Sequence, residues 1–252
     1  MVSILERFDA WITTAGLLAA MLLAWQLGRW RGHVLRNRAG NMVPESIDDA
    51  AMGVVGLLVA LTFAMSLGKH DERRQVVVAE SNAISDFYTC ATLQEPPVRD
   101  KLQEVLRKYA KLRLAASYGT EIELEASLAR FDQLQNSMID LVGEAIHRGT
   151  PLAVPLTNTL NALMGSQASH LAAARDRLPG GIVLLLFLAA IISVALLGRR
   201  QGYDKTQHMG ILSYILLVTL VVFITLDLNQ TSRGFIKVSE EPLERLIRSM
   251  EQ

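Results

Sequence analysis

Within four long apolar runs the chain has no Asp, Glu, Lys, Arg or His, which excludes the buried relay groups that proton-coupled and ion-coupled carriers use. The runs are 11–27, 50–67, 180–198 and 209–226. Nor is there an inverted repeat of broken apolar segments, as alternating access would require. Cysteine is nearly missing: Cys90 stands alone among 252 residues, so no internal disulfide framework exists. Neither sign of charge is in excess. Lys plus Arg total 25 and Asp plus Glu total 25, so the basic footprint of a nucleic-acid binder is absent. A secretory signal is not expected, because the first residues lack a basic n-region and the first run is followed by arginines rather than a cleavage site. Catalytic signatures are missing too. There is no nucleophile elbow, no phosphate-cradling glycine loop and no helical His pair with Glu between, and Cys90 has no basic neighbour in sequence to activate it. We therefore expect no enzyme, no cofactor, no metal and no nucleic-acid partner.

What is present decides the class. Each run approaches the ~20 residues that a hydrocarbon core of about 30 Å requires of a helix. The expected fold class is all-α, an integral membrane protein with four transmembrane helices in two hairpins flanking a helical polar domain. Residues 1–68 form the first hairpin, 69–178 the polar domain, 179–227 the second hairpin and 228–252 an amphipathic tail. The polar stretch is balanced, with 13 Lys plus Arg against 14 Asp plus Glu. Its prolines fall at joints, with apolar residues three or four apart between them, and that pattern predicts four helices. The first continues from the second span without a proline until Pro96-Pro97, so that 50–93 would be an unbroken rod of roughly 65 Å. The second opens at Pro97 and closes at Tyr118-Gly119. The third is capped by Thr120 and ends at His147-Arg148-Gly149, and the fourth runs from about Pro155 to Leu178, where Pro179-Gly180-Gly181 interrupts it.

The short loops carry Arg29, Arg31, Arg36 and Arg38, then Arg199, Arg200 and Lys205, which makes them cytoplasmic by the positive-inside rule. The polar domain then lies on the outer side. The tail, with Arg233, Lys237, Arg245 and Arg248, reduces that asymmetry.

Within the second run Gly56, Ala60, Ala64 and Gly68 recur every fourth residue, with Gly53 on a neighbouring face. Small residues at that spacing let another helix backbone approach closely. Packing inside one subunit is their commoner use, and a subunit contact or a pore wall is the other. Thr62 and Ser66 lie a turn apart on another face, where hydroxyls either line a wet path or, more commonly, bond back to helix carbonyls. Glu80 falls beside the apolar stripe of Val77, Ile84 and Phe87 and needs a partner, for which Arg73, Arg74, Asn161 and Arg175 are the candidates. His70, Asp71 and Glu72 are consecutive, point in different directions and cannot converge on a metal. His147 and His170 mark no site.

The stretch Leu57-Leu58-Val59-Ala60-Leu61-Thr62-Phe63-Ala64-Met65, followed by Asp71-Glu72-Arg73-Arg74 and Val78-Ala79-Glu80-Ser81-Asn82, resembles the bestrophin-like family of bacterial membrane proteins, a domain of unknown function. The far end agrees. There Leu226-Asp227-Leu228-Asn229, then Gly234, Ser239 and Pro242, look like that family's closing signature. The resemblance picks out Asp71, Arg74, Glu80, Asn82, Asp227, Gly234 and Ser239, and implies a multi-pass protein of the bacterial inner (plasma) membrane. True bestrophins, distantly similar to that family, are pentameric anion channels whose second helix lines the pore and whose helical part is cytosolic, the opposite side to the arginine count. The expected function is an oligomeric membrane protein that forms a passive, anion-conducting pore, with the lipid bilayer, further copies of itself and small anions as partners. The alternative is a non-conducting scaffold or sensor whose helical domain docks a partner.

Overall fold

The computed structural model describes residues 10–39, 45–118, 121–201, 208–230 and 234–251. Helices account for nearly all of them: α1 (Ala10–Ala39), α2 (Glu45–Thr92), α3 (Val98–Tyr118), α4 (Glu121–His147), α5 (Ala153–Arg175), α6 (Gly180–Gln201), α7 (His208–Asn229) and α8 (Glu241–Met250). Among the described residues there is no strand. The Thr120 cap and the cations Lys205 and Arg233 lie outside the described residues.

Four stretches are long and apolar enough to cross a membrane: α1, the first part of α2, α6 and α7. Their outward faces carry Leu57 and Leu216, 70% and 67% exposed, as well as Leu185, Ile192 and Leu220. So much large apolar surface is stable only against lipid. Trp11 and Trp30 stand exposed on α1, ~28 Å apart at 1.5 Å per residue, the spacing of two interfacial belts. The protein is a multi-pass, all-helical membrane protein. In α2 the uncharged stretch ends at residue 68. From there Lys69, His70, Asp71, Glu72, Arg73 and Arg74 follow in succession, so the rest of that helix stands outside the hydrocarbon. No proline interrupts its 48 residues, and it is one continuous helix.

Two compact units divide the chain, Met1–Lys69 with Arg177–Ile236, and His70–Asp176 with Lys237–Gln252. In the first unit α1 packs along α6 and against α7 around Leu17, Met21, Leu186, Ala190, Val194 and Ile215. In the second, the distal part of α2, α3, α4 and α5 enclose Phe87, Leu102, Tyr109, Phe131, Met138 and Leu163, with Tyr109 and Phe131 edge to face at 5.6 Å. The amphipathic α8 lays Leu243 and Met250 onto this core. Its end is held by Arg107, whose Nε donates to the Met250 carbonyl at 2.8 Å, the favourable place for a cation at a helix C-terminus. Residues 176–179 are not helical, and α6 begins at Gly180, directly after Pro179.

Candidate functional site

Helix geometry sorts the residues of α2 into two opposed faces. At about 100° per residue, Gly53, Gly56, Ala60, Ala64 and Gly68 fall within about 60° of one line along the helix. Asp71, Arg74 and Asn82 fall on the same line. Glu80 is nine residues beyond Asp71, about 180° round, and Thr62 sits on that opposite side with it. The structure bears this division out in burial: the first set is exposed throughout, whereas Thr62, Ser66 and Glu80 are buried. A Cβ added at Gly53, Gly56 or Gly68 would meet nothing within 4 Å. Ala60 and Ala64, which lie between them, are exposed as well. Beyond the small stripe, Asp71, Arg74 and Asn82 share one open depression with Gln75, Val78 and Ala79.

The buried face is polar, and its two hydroxyls are satisfied. Thr62 Oγ1 donates to its own helix at Leu58 O (2.8 Å) and Val59 O (3.0 Å). Ser66 Oγ donates across to the Thr225 carbonyl of α7 at 2.7 Å. Both hydroxyls are thus committed to carbonyls rather than to a wet path. Further along, Glu80, 2% exposed, accepts from Arg113 Nε of α3 at 2.9 Å through Oε2. The partner of Glu80 is Arg113, not Arg73, Arg74, Asn161 or Arg175. Arg73 is spent elsewhere, on the carbonyls of Ala173 and Asp176. Arg113 in turn reaches Ser117 and both ring nitrogens of His170. Burial pushes the Glu80 carboxyl above the usual carboxylate range, against the downward pull of Arg113, and the charge of Glu240 pushes it further up. Burial, with Arg113 adding to it, holds His170 down at about 3. His170 is therefore a neutral acceptor for Arg113, and its 3.4 Å approach to Glu80 is not an ion pair. Burial and the Glu80 charge likewise raise the Tyr109 hydroxyl, which donates to Gln167 at 3.1 Å.

At the other end of the chain, Asp227 and Gly234 meet. The Asp227 carboxylate, 2% exposed, accepts the backbone N–H groups of Phe235 (2.8 Å) and Ile236 (2.9 Å). A Cβ on Gly234 would lie 2.8 Å from the Asp227 carbonyl and 3.3 Å from both carboxylate oxygens, so only glycine permits the fold-back. Asn229 Oδ1 accepts from Leu178 N–H at 2.8 Å, tying the start of α6 to the end of α7. Ser239 is exposed and receives the Glu241 N–H at 3.3 Å, at the entry to α8.

Two glycines that sequence reasoning missed let α1 and α6 approach backbone to backbone. A Cβ on Gly28 would overlap the Ala195 carbonyl of α6, and one on Gly198 would overlap the Trp25 carbonyl of α1. Each glycine immediately precedes an arginine, Arg29 or Arg199, and that repeated Gly-Arg was the one available signal. Among the described residues no group of three or more His, Cys, Asp or Glu could hold a metal.

Comparison with known proteins agrees with this architecture. Residues 15–243 match the model of the Bestrophin-like domain. A crystal structure of a bacterial bestrophin homologue from Klebsiella pneumoniae, carrying a leucine-to-threonine mutation, is similar with a TM-score of 0.61 at 12% identity, over 93% of this chain and 96% of that one. A membrane protein crystallised with a proline-to-alanine change matches with the same TM-score and identity, over 94% and 96%. At that identity the likeness concerns the fold. No curated protein matches the sequence.

Proposed function

The chain belongs to the bestrophin-like family, and from that premise we propose that it is one subunit of a homo-oligomeric, passive, anion-conducting pore of the bacterial inner membrane. The observation that supports this reading is the exposed, side-chain-poor face of α2, along which Gly53, Gly56, Ala60, Ala64 and Gly68 are all exposed and a Cβ added at any of the three glycines would meet nothing within 4 Å. In hydrocarbon such a face offers close backbone approach to a neighbour, where no hydrophobic drive operates. Asp71, Arg74 and Asn82 prolong it past the apolar segment, so a path along this helix would pass from small residues to a polar mouth. Passive conduction suits spans without mid-depth charge, since hydroxyls, backbone and apolar constrictions select and gate without it.

Ala60→Leu and Ala64→Leu, which fill the groove, are expected to shift the protein to smaller assemblies in mild detergent and to abolish halide flux in liposomes. Leu58→Phe, on the other side of the helix, leaves both unchanged. A wild-type protein that is strictly monomeric, or an oligomer without flux in any salt or pH, overturns the pore. The second result favours the non-conducting scaffold or sensor.

The arginine-rich ends of α1 and α6 orient the short loops to the cytoplasm and the second unit to the outside. Cys90, the only thiol, is half-buried in that unit. In intact spheroplasts an impermeant maleimide is expected to label it. Labelling only after lysis would place the unit in the cytoplasm.

A further inference from the structure

Past its apolar segment α2 keeps one side open to solvent for about five further turns, as far as Thr89. With Asp71 as zero and about 100° per residue, the exposed positions run from Arg74 at roughly −60°, through Val78 and Asn82, to Asp86 at roughly +60° and Glu72 at roughly +100°. Ser81, at about −80°, and Ala83, at about +120°, are buried, so Arg74 and Glu72 stand at the two edges of the open arc. Among the described residues of this arc Arg74 is the sole cation, and two of its three acids, Glu72 and Asp86, lie toward the far edge. Residues two apart on a helix do not face each other, so Arg74 and Glu72 of one chain cannot meet. Among the described residues neither has an ion-pair partner, and Arg74 does not take Asp71 one turn back.

A merely solvated face has no reason to sort its edges by sign. A head-to-tail contact between identical subunits does, because in a closed ring one edge of each copy meets the opposite edge of the next. Every copy of α2 crosses the bilayer in the same direction, and rotation about the membrane normal keeps like residues at like depth. Arg74 and Glu72 differ by two residues, ~3 Å of rise, which a long guanidinium side chain spans. Between the edges the arc is an open depression of about 500 Å³ that includes Val78, 40% exposed, and Ala79, so small and apolar surface lies beside the charges. Packing like edge on like edge would set Arg74 against Arg74 and Glu72 against Glu72, an arrangement that charge repulsion disfavours.

We propose that Arg74 of each copy pairs with Glu72 of the next, so that a second copy of this chain is the partner of α2 beyond the membrane. The inference rests on the homo-oligomeric reading above and adds which flank meets which. One exposed ion pair contributes little affinity. Its effect is on register: the correct neighbour attracts, whereas a slipped or inverted one brings like charges together.

Full-length chains in membranes test this. Chains carrying Glu72→Cys and chains carrying Arg74→Cys, both with Cys90→Ser and with different tags, are co-expressed and treated with a short bis-maleimide. Mixed dimers are expected, and few from either kind alone. The spacer is needed because a disulfide demands Cα atoms within ~7 Å, closer than two long side chains that meet at their tips. Charge reversal reads the same contact. Arg74→Glu and Glu72→Arg should each lose most of the wild-type assembly peak in mild detergent, and the two together in one chain should regain it. Same-residue links as abundant as mixed ones, or a double reversal no better assembled than the single variants, overturns the pairing. If the oligomer and its flux persist alongside either result, the proposed function stands without it. A monomeric wild type removes both.

Discussion

Gly198→Leu is expected to yield almost no folded protein. The Gly198 Cα faces the Trp25 carbonyl, and Gly28, its counterpart on α1, faces the Ala195 carbonyl, so that the two backbones touch where each lacks a side chain. A single methyl has no room there, and what would have to move is main chain rather than a flexible side chain. Gly198→Ala alone should cost about 1–3 kcal/mol by overpacking, and leucine more, since α1 must part from α6 over the contact. The loss is larger than the contact itself suggests, because α1 along α6 is the main helix pair of the first unit and Met21, Leu186 and Ala190 are packed beside it. Thermal unfolding in mild detergent, read for Gly28→Ala, Gly198→Ala and Gly198→Leu, should rank them in that sense. Wild-type stability in Gly198→Leu would show that the crossing does not exist.

Arg113→Met is the second large effect. It leaves Glu80 buried with neither oxygen paired, a loss of roughly 3–5 kcal/mol when one half of a buried ion pair is removed. Arg113 is the group that pulls the Glu80 carboxyl down, so its removal lets the carboxyl rise further. The variant then recovers part of the loss as pH falls and Glu80 takes up a proton, and it is weakest in alkaline buffer. Adding Glu80→Gln removes the stranded charge. The double variant should be more stable than Arg113→Met alone at neutral pH, and a simple sum of the two single losses would show that the residues are not coupled.

Much of this fold is legible in the linear order of residues, because the features that define it are local. Four uncharged stretches give the spans, the absence of proline from 50 to 95 gives the long second helix, and Pro96, Gly149 and Pro179 mark the joints. The two faces of α2 follow from spacing as well. What spacing does not contain is which face meets which. The partner of Glu80 lies 33 positions away on another helix, and nearer arginines were equally plausible by sequence. Ser66 finds its acceptor 159 positions away. The glycine crossing rests on one residue in each of two helices, with no period to announce it. The small-residue stripe does have a period, yet the period says only that a backbone can come near. Whether that backbone belongs to the same chain depends on where the other helices go, and in the first unit α7 meets α2 on the opposite side, at Ser66.

Trp11, Trp25 and Trp30 are the only tryptophans of the protein, and all three belong to α1. Its ultraviolet emission therefore reports one helix. Trp11 and Trp30 stand open near the two ends of that helix's apolar run, while Trp25 lies beside Arg29 and the edge of His208. Quenchers fixed at different depths of the lipid would read how far that helix is immersed, with no label attached.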